Sequence, residues 1–109
     1  MAASKQEWLI IVSDHPNMLD KRLEIRPKHL EALTPHVKSG TVAFGGSTLD
    51  SPLKDNERMQ SNGSAMIILA ESEKEARGIV EGDIYAKEGV WDVGSLQIWP
   101  FKSAVRQPL

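Results

Sequence analysis

The order of segments along the chain predicts an α+β fold of the ferredoxin-like type, βαββαβ, with a four-stranded antiparallel sheet and both helices on one face. Three observations carry this. Residues 19–37 hold apolar side chains at spacings of three and four, the mark of one long helix. Residues 73–82 repeat the pattern on a shorter scale. Around these helices lie four segments, residues 8–12, 41–49, 64–70 and 92–101, that read as strands. A sheet with helices on one side leaves its other side bare, so a homodimer closed through that face is expected.

Composition narrows the function classes. The 109 residues make one domain, with a core expected over about 6–102 and an aperiodic tail at 103–109. A formal net charge of −2 and the lack of a basic run speak against nucleic acid and membrane surfaces as partners. With no cysteine, disulfides, thiolate metal sites and cysteine nucleophiles are excluded together. No stretch has the length of a membrane span and residues 1–15 lack the apolar core of a signal peptide, so a cytoplasmic location is expected.

Taken in order, Trp8 to Val12 form an unbroken apolar run, as expected of a strand buried on both faces near the middle of a sheet. Residues 13–17 are loop chemistry, and Asn17 or Asp20 is expected to cap the first helix. Leu19, Leu23, Leu30, Leu33 and Val37 form that helix's apolar stripe, Pro27 predicts a kink or restart, and Gly40 ends it. Gly45 and Gly46, inside the second strand, suggest a bulge or a close approach to the backbone. Residues 50–62 read as a polar, mobile connection. Ala76, Ile79 and Val80 give the second helix its apolar side, which Asp83 continues.

Charged groups on these faces are the candidates for chemistry. Arg26 falls on the apolar stripe, where a guanidinium must be paired, solvated or in contact with a ligand anion. His29 lies one turn further on, with Arg22 and His36 seven positions to either side of it. Asp83 needs a partner for the same reason as Arg26, and His29 and Arg26 are available across the sheet, with Tyr85 nearby as a hydroxyl donor.

The run Arg22-Leu23 and Ile25-Arg26-Pro27-Lys28-His29-Leu30, then Gly40, Gly45-Gly46, Asn62-Gly63-Ser64, Glu75-Ala76, Gly82-Asp83-Ile84-Tyr85, Gly89-Val90 and Trp99-Pro100-Phe101-Lys102, resembles the YCII-related (YciI-like) family over nearly the whole chain. The resemblance implies a dimeric α+β barrel with an active site built on His29 and Asp83. It also implies lyase chemistry, such as dehydrohalogenation of a ring, or isomerisation of small cyclic compounds. The family usually reads Asp-Pro-Tyr where this chain has Asp83-Ile84-Tyr85, a change expected to loosen that turn.

The reading that follows is a cofactor-independent lyase or isomerase working by His/Asp acid–base catalysis on a small carbonyl-containing or cyclic metabolite. His29 and Asp83 are its catalytic candidates. Arg26, Arg22, Tyr85, Gly45, Gly46 and Ser64 are its substrate-binding candidates, with Ser47 a secondary contact. Nothing in these residues calls for a metal or organic cofactor, and His15, His29 and His36 match no ligand spacing. The plainer alternatives are a non-catalytic small-molecule binder or accessory protein using the same cavity, a buried Arg26–Asp83 ion pair, and Trp8, Trp91 and Trp99 as core or dimer contacts.

Overall fold

The computed structural model describes residues 4–109. The chain runs β1 (Gln6–Ser13), α1 (Leu19–Lys38), β2 (Val42–Leu49), β3 (Ser61–Ala70), α2 (Glu73–Glu81), α3 (Ile84–Lys87), a 3-10 turn at Val93–Ser95 and β4 (Gln97–Phe101). All strand pairs are antiparallel and the sheet order is β2-β3-β1-β4, the ferredoxin-like arrangement. Among the described residues no helix is long and apolar enough to cross a membrane.

β1 occupies an interior position, as its unbroken apolarity predicts, but only one of its faces is covered within this chain. Ile10 and Val12, with Val42, Met66, Ile68 and Ala70, turn toward the helices and meet Ile25, Ala76, Val80, Tyr85 and Trp91 in the core. Leu9 and Ile11 point the other way and stay half-buried. Phe44 and Ile67 pair on that outer side, as do Leu9 and Trp99, and Phe44, Trp99 and Phe101 remain 54%, 45% and 41% exposed. A period of two on each strand sorts these sets.

Several boundaries differ from expectation because tertiary contacts decide them. Neither Asn17 nor Asp20 caps α1; the cap position is Met18, with no side-chain hydrogen bond, and Asp20 instead pairs with Arg58 at 2.8 Å. The helix is continuous through both Pro27 and Pro35. It ends as predicted, with Gly40 in the left-handed region at φ 80°. β3 starts at Ser61, earlier than expected, because Leu49 pairs with Ser61 and Asp50 N–H donates to Gln60 O at 3.0 Å. Residues 92–95 are not strand: the Asp92 carboxylate accepts from Gly94 N–H and caps the 3-10 turn. The bulges in β2 fall between Val42 and Phe44 and between Thr48 and Leu49, flanking the glycine pair.

Beyond β1 the chain is pinned to the far end of the sequence. Asp14 N–H donates to Asn62 O, His15 N–H to Val90 O and Asp92 N–H to Ser13 O, all at 2.8–2.9 Å. Gly63 permits this approach, since a Cβ there would lie 2.5 Å from Val12 O. Asp14 is thereby set beside Trp91. The tail is held as well: Ser103 N–H donates to Glu7 at 2.8 Å, and the Ser103 hydroxyl and Arg106 also contact that carboxylate. The Ser103 contacts hold the Glu7 carboxyl below its ordinary value.

Candidate active site

Between α1 and the helix-facing side of β2 and β3 lies a cavity of about 490 Å³, within the range of small-molecule sites. Its lining includes Arg22, Arg26, His29, Gly45, Gly46, Ser64, Asp83 and Tyr85, the eight catalytic and substrate-binding candidates read from the sequence. The remaining wall is largely apolar, with Leu30, Leu33, Val37, Met59 and Met66. A smaller cavity of about 360 Å³ adjoins it between α1 and α2, where His36 and Glu75 stand.

Asp83 reaches His29 because the chain turns sharply between α2 and α3. α2 ends at Gly82, and Asp83 takes an extended conformation (φ −71°, ψ 147°) whose side chain accepts Tyr85 N–H at 2.9 Å, capping α3. Ile84 stands at the first helical position, which suits proline but tolerates an N–H that has no helical partner anyway. The turn therefore keeps its cap without the proline. Asp83 Oδ1 also lies 2.8 Å from His29 Nδ1, with both side chains nearly buried. An ionised carboxylate only accepts, so the proton of this contact belongs to Nδ1, which leaves Nε2 unprotonated in the neutral ring.

Aromatic packing fixes the imidazole further. The Tyr85 ring stacks on it at 4.0 Å and 12°, and Trp91 meets it edge-on at 6.0 Å and 80°. Tyr85 is fully buried and its hydroxyl points to the Arg22 carbonyl oxygen at 3.4 Å, so it supports the site through its ring and does not offer the hydroxyl expected of it. Burial, more than any charge nearby, raises the Tyr85 phenol above its ordinary value.

The buried guanidinium is Arg22, and Arg26 on the predicted stripe is exposed at the cavity wall. Arg22 Nη1 donates to both Asp14 oxygens at 2.7 and 2.9 Å, while Nη2 donates to Ser64 Oγ at 2.8 Å and Ser47 Oγ at 3.2 Å. Its guanidinium also lies 4.8 Å above the Tyr85 ring. Burial pushes the Asp14 carboxyl above its ordinary value, and Arg22 opposes that shift. Asp14 and Trp91 are the members that sequence reasoning missed. A buried arginine calls for a partner, and a loop carboxylate just after an interior strand was the available signal.

The Arg26–Asp83 ion pair does not form; Arg26 has no acidic partner among the described residues, and Asp83 is engaged by His29. His15 and His36 are exposed and take no part in the His29–Asp83 contact. Among the described residues no three His, Asp or Glu side chains gather as a metal site would require.

A helix-backed antiparallel sheet with a histidine–carboxylate pair at the wall of a small-molecule-sized cavity defines an α+β cavity protein. Within that class the chain belongs to the YCII-related domain family, whose model matches residues 7–102. It is 46% identical over 103 residues to the "Fusaric acid biosynthesis protein 2" of Gibberella moniliformis, covering 94% of this chain and 99% of that protein. It is 46% identical over 104 residues to the "Aspartate kinase FUB3" of Fusarium oxysporum f. sp. lycopersici, where the match spans 95% of this chain and 19% of that protein. Among solved structures it resembles the 5-chloro-2-hydroxyhydroquinone dehydrochlorinase (TftG) from Burkholderia phenoliruptrix AC1100 in complex with 2,5-dihydroxybenzoquinone. That likeness has a TM-score of 0.75 at 28% identity and covers 88% of this chain and 93% of the other. The relatives support a part in making or converting small molecules.

Proposed function

We propose that the protein is a cofactor-independent enzyme of the lyase or isomerase type, acting on a small cyclic or carbonyl-containing metabolite. The contact of His29 Nδ1 with Asp83 Oδ1 at 2.8 Å on the wall of the 490 Å³ cavity carries this reading. His29 Nε2 takes a proton from carbon or hydroxyl next to a carbonyl, and Asp83 stabilises the imidazolium so formed. Returning the proton to another atom completes an isomerisation; loss of a leaving group from the enolate completes an elimination. Arg26 at the wall is placed to hold a substrate carboxylate, and Gly45 and Gly46 let a flat ligand lie close to β2. The named activity and ligand of the dehydrochlorinase it resembles favour this chemistry. Two copies pair through the outer sheet face around Phe44, Trp99 and Phe101, in a cytoplasmic dimer.

Turnover of hydroxyquinones and small keto acids, followed by absorbance and NMR, tests the reading. His29→Ala is expected to lower it by about 10²–10⁴-fold, the usual span of one general base, with fold and ligand affinity retained. Wild-type turnover in His29→Ala contradicts it. Binding without any product supports a non-catalytic accessory protein that uses the same cavity.

A further inference from the structure

Ser64 Oγ accepts two hydrogen bonds, from Arg22 Nη2 at 2.8 Å and from Trp91 Nε1 at 3.1 Å. A hydroxyl oxygen has two lone pairs and one proton. Both lone pairs are occupied by groups that can only donate, so Ser64 cannot accept from a ligand. Its own proton meets no acceptor within hydrogen-bonding distance among the described residues. Ser64 is 6% exposed and lines the cavity that His29 also lines.

From this arrangement we infer that Ser64 is a donor-only subsite that takes an oxygen acceptor of the substrate and so selects a ketone, aldehyde, quinone or enolate. The inference rests on the proposed role of the cavity and adds the class of group that the substrate must present. An ammonium group is rejected at this point, because it has no lone pair and sets N–H against O–H. The charge of Arg22 polarises the hydroxyl and strengthens its donation. Asp14 and Ser47 hold the Arg22 guanidinium in place, so the donor direction is set before any ligand arrives.

Two unlike residues thus line one cavity, His29 with an unprotonated Nε2 and Ser64 with an unclaimed proton. When His29 removes a proton from the carbon beside a carbonyl, that C–H electron pair becomes the new C=C bond and the carbonyl pair moves onto oxygen. Ser64 then donates to the resulting enolate oxygen, and the proton stays on His29 until it is passed on. Ser64 strengthens its hydrogen bond as charge develops, which is where such a bond lowers a barrier.

The test uses two near-isosteric probes, acetophenone and α-methylstyrene, which differ only by C=O against C=CH₂. NMR titration, with the Trp91 indole as one reporter, reads both affinities. The wild type is expected to bind the ketone more tightly despite the alkene's greater hydrophobicity. Ser64→Ala is expected to lower the ketone-over-alkene ratio about five- to tenfold, the effect of one neutral hydrogen bond. A ratio unchanged in folded Ser64→Ala overturns the subsite. Should that variant fail to fold, the wild-type comparison decides alone: equal binding, or preference for the alkene, overturns it while leaving the cavity reading intact. If neither probe perturbs the cavity resonances, the cavity reading fails and the subsite fails with it.

Discussion

The two halves of α1 carry one continuous apolar spacing and meet opposite surroundings. In the first half Arg22 and Ile25 are 4% and 8% exposed; in the second, Leu30 and Val37 are 42% and 53% exposed. The first half is tied down by the three side chains that accept from Arg22 and by the packing of Ile25. Below the second half runs β2 with Gly45, which offers no side chain to meet the helix, so the stripe borders a cavity. Periodicity tells which face of a helix turns inward. It does not tell whether the opposite wall has enough volume to fill the space.

The comparison breaks if the first half proves dispensable. Arg22→Met leaves the Asp14 carboxylate buried without its cation and is expected to destabilise the fold by about 3–5 kcal/mol in denaturant unfolding. A change under 1 kcal/mol would show that the network does not anchor the helix. The contrast sharpens with a pair of truncations. Ile25→Ala should cost about 2–5 kcal/mol as a core cavity, whereas Val37→Ser should stay within about 0.5 kcal/mol, as exposed positions do. Equal costs would mean that the second half is packed in solution.

The smallest expected effect is a dependence on pH. Burial raises the Asp14 carboxyl from 3.8 in the folded state. The folded protein therefore keeps that proton where the unfolded chain has released it. The contribution is full below about pH 3.8 and is lost as pH rises through the folded-state value. Asp14→Asn should flatten that part of the stability curve, measured by thermal unfolding between pH 3 and 7. A slope unchanged in the variant would assign the dependence elsewhere.

Much of the fold was legible because its signals are local. The spacing in α1, the apolar run of β1 and the left-handed glycine at Gly40 each reflect a few neighbouring residues. The same holds for the approach of His29 and Asp83, since two polar side chains on inward faces require partners. What was not legible depends on contacts across the sequence. Asp14 meets Arg22 where the residues on either side of it, Ser13 and His15, are bonded to Asp92 and Val90. α3 is capped by Asp83, and its four residues are too few to show a period. Arg26 and Arg22 sit four positions apart on one face, so spacing could not say which of them is buried.

The most direct test of the His29–Asp83 pairing is the tautomer of His29, read from its ring ¹⁵N shifts and long-range ¹H–¹⁵N couplings at a pH where the imidazole is neutral. Nδ1 protonated and Nε2 bare, with that preference lost in Asp83→Ala, is the expected result. An Nε2–H ring in the wild type, indifferent to Asp83→Ala, would contradict the account, because no base would then face the cavity.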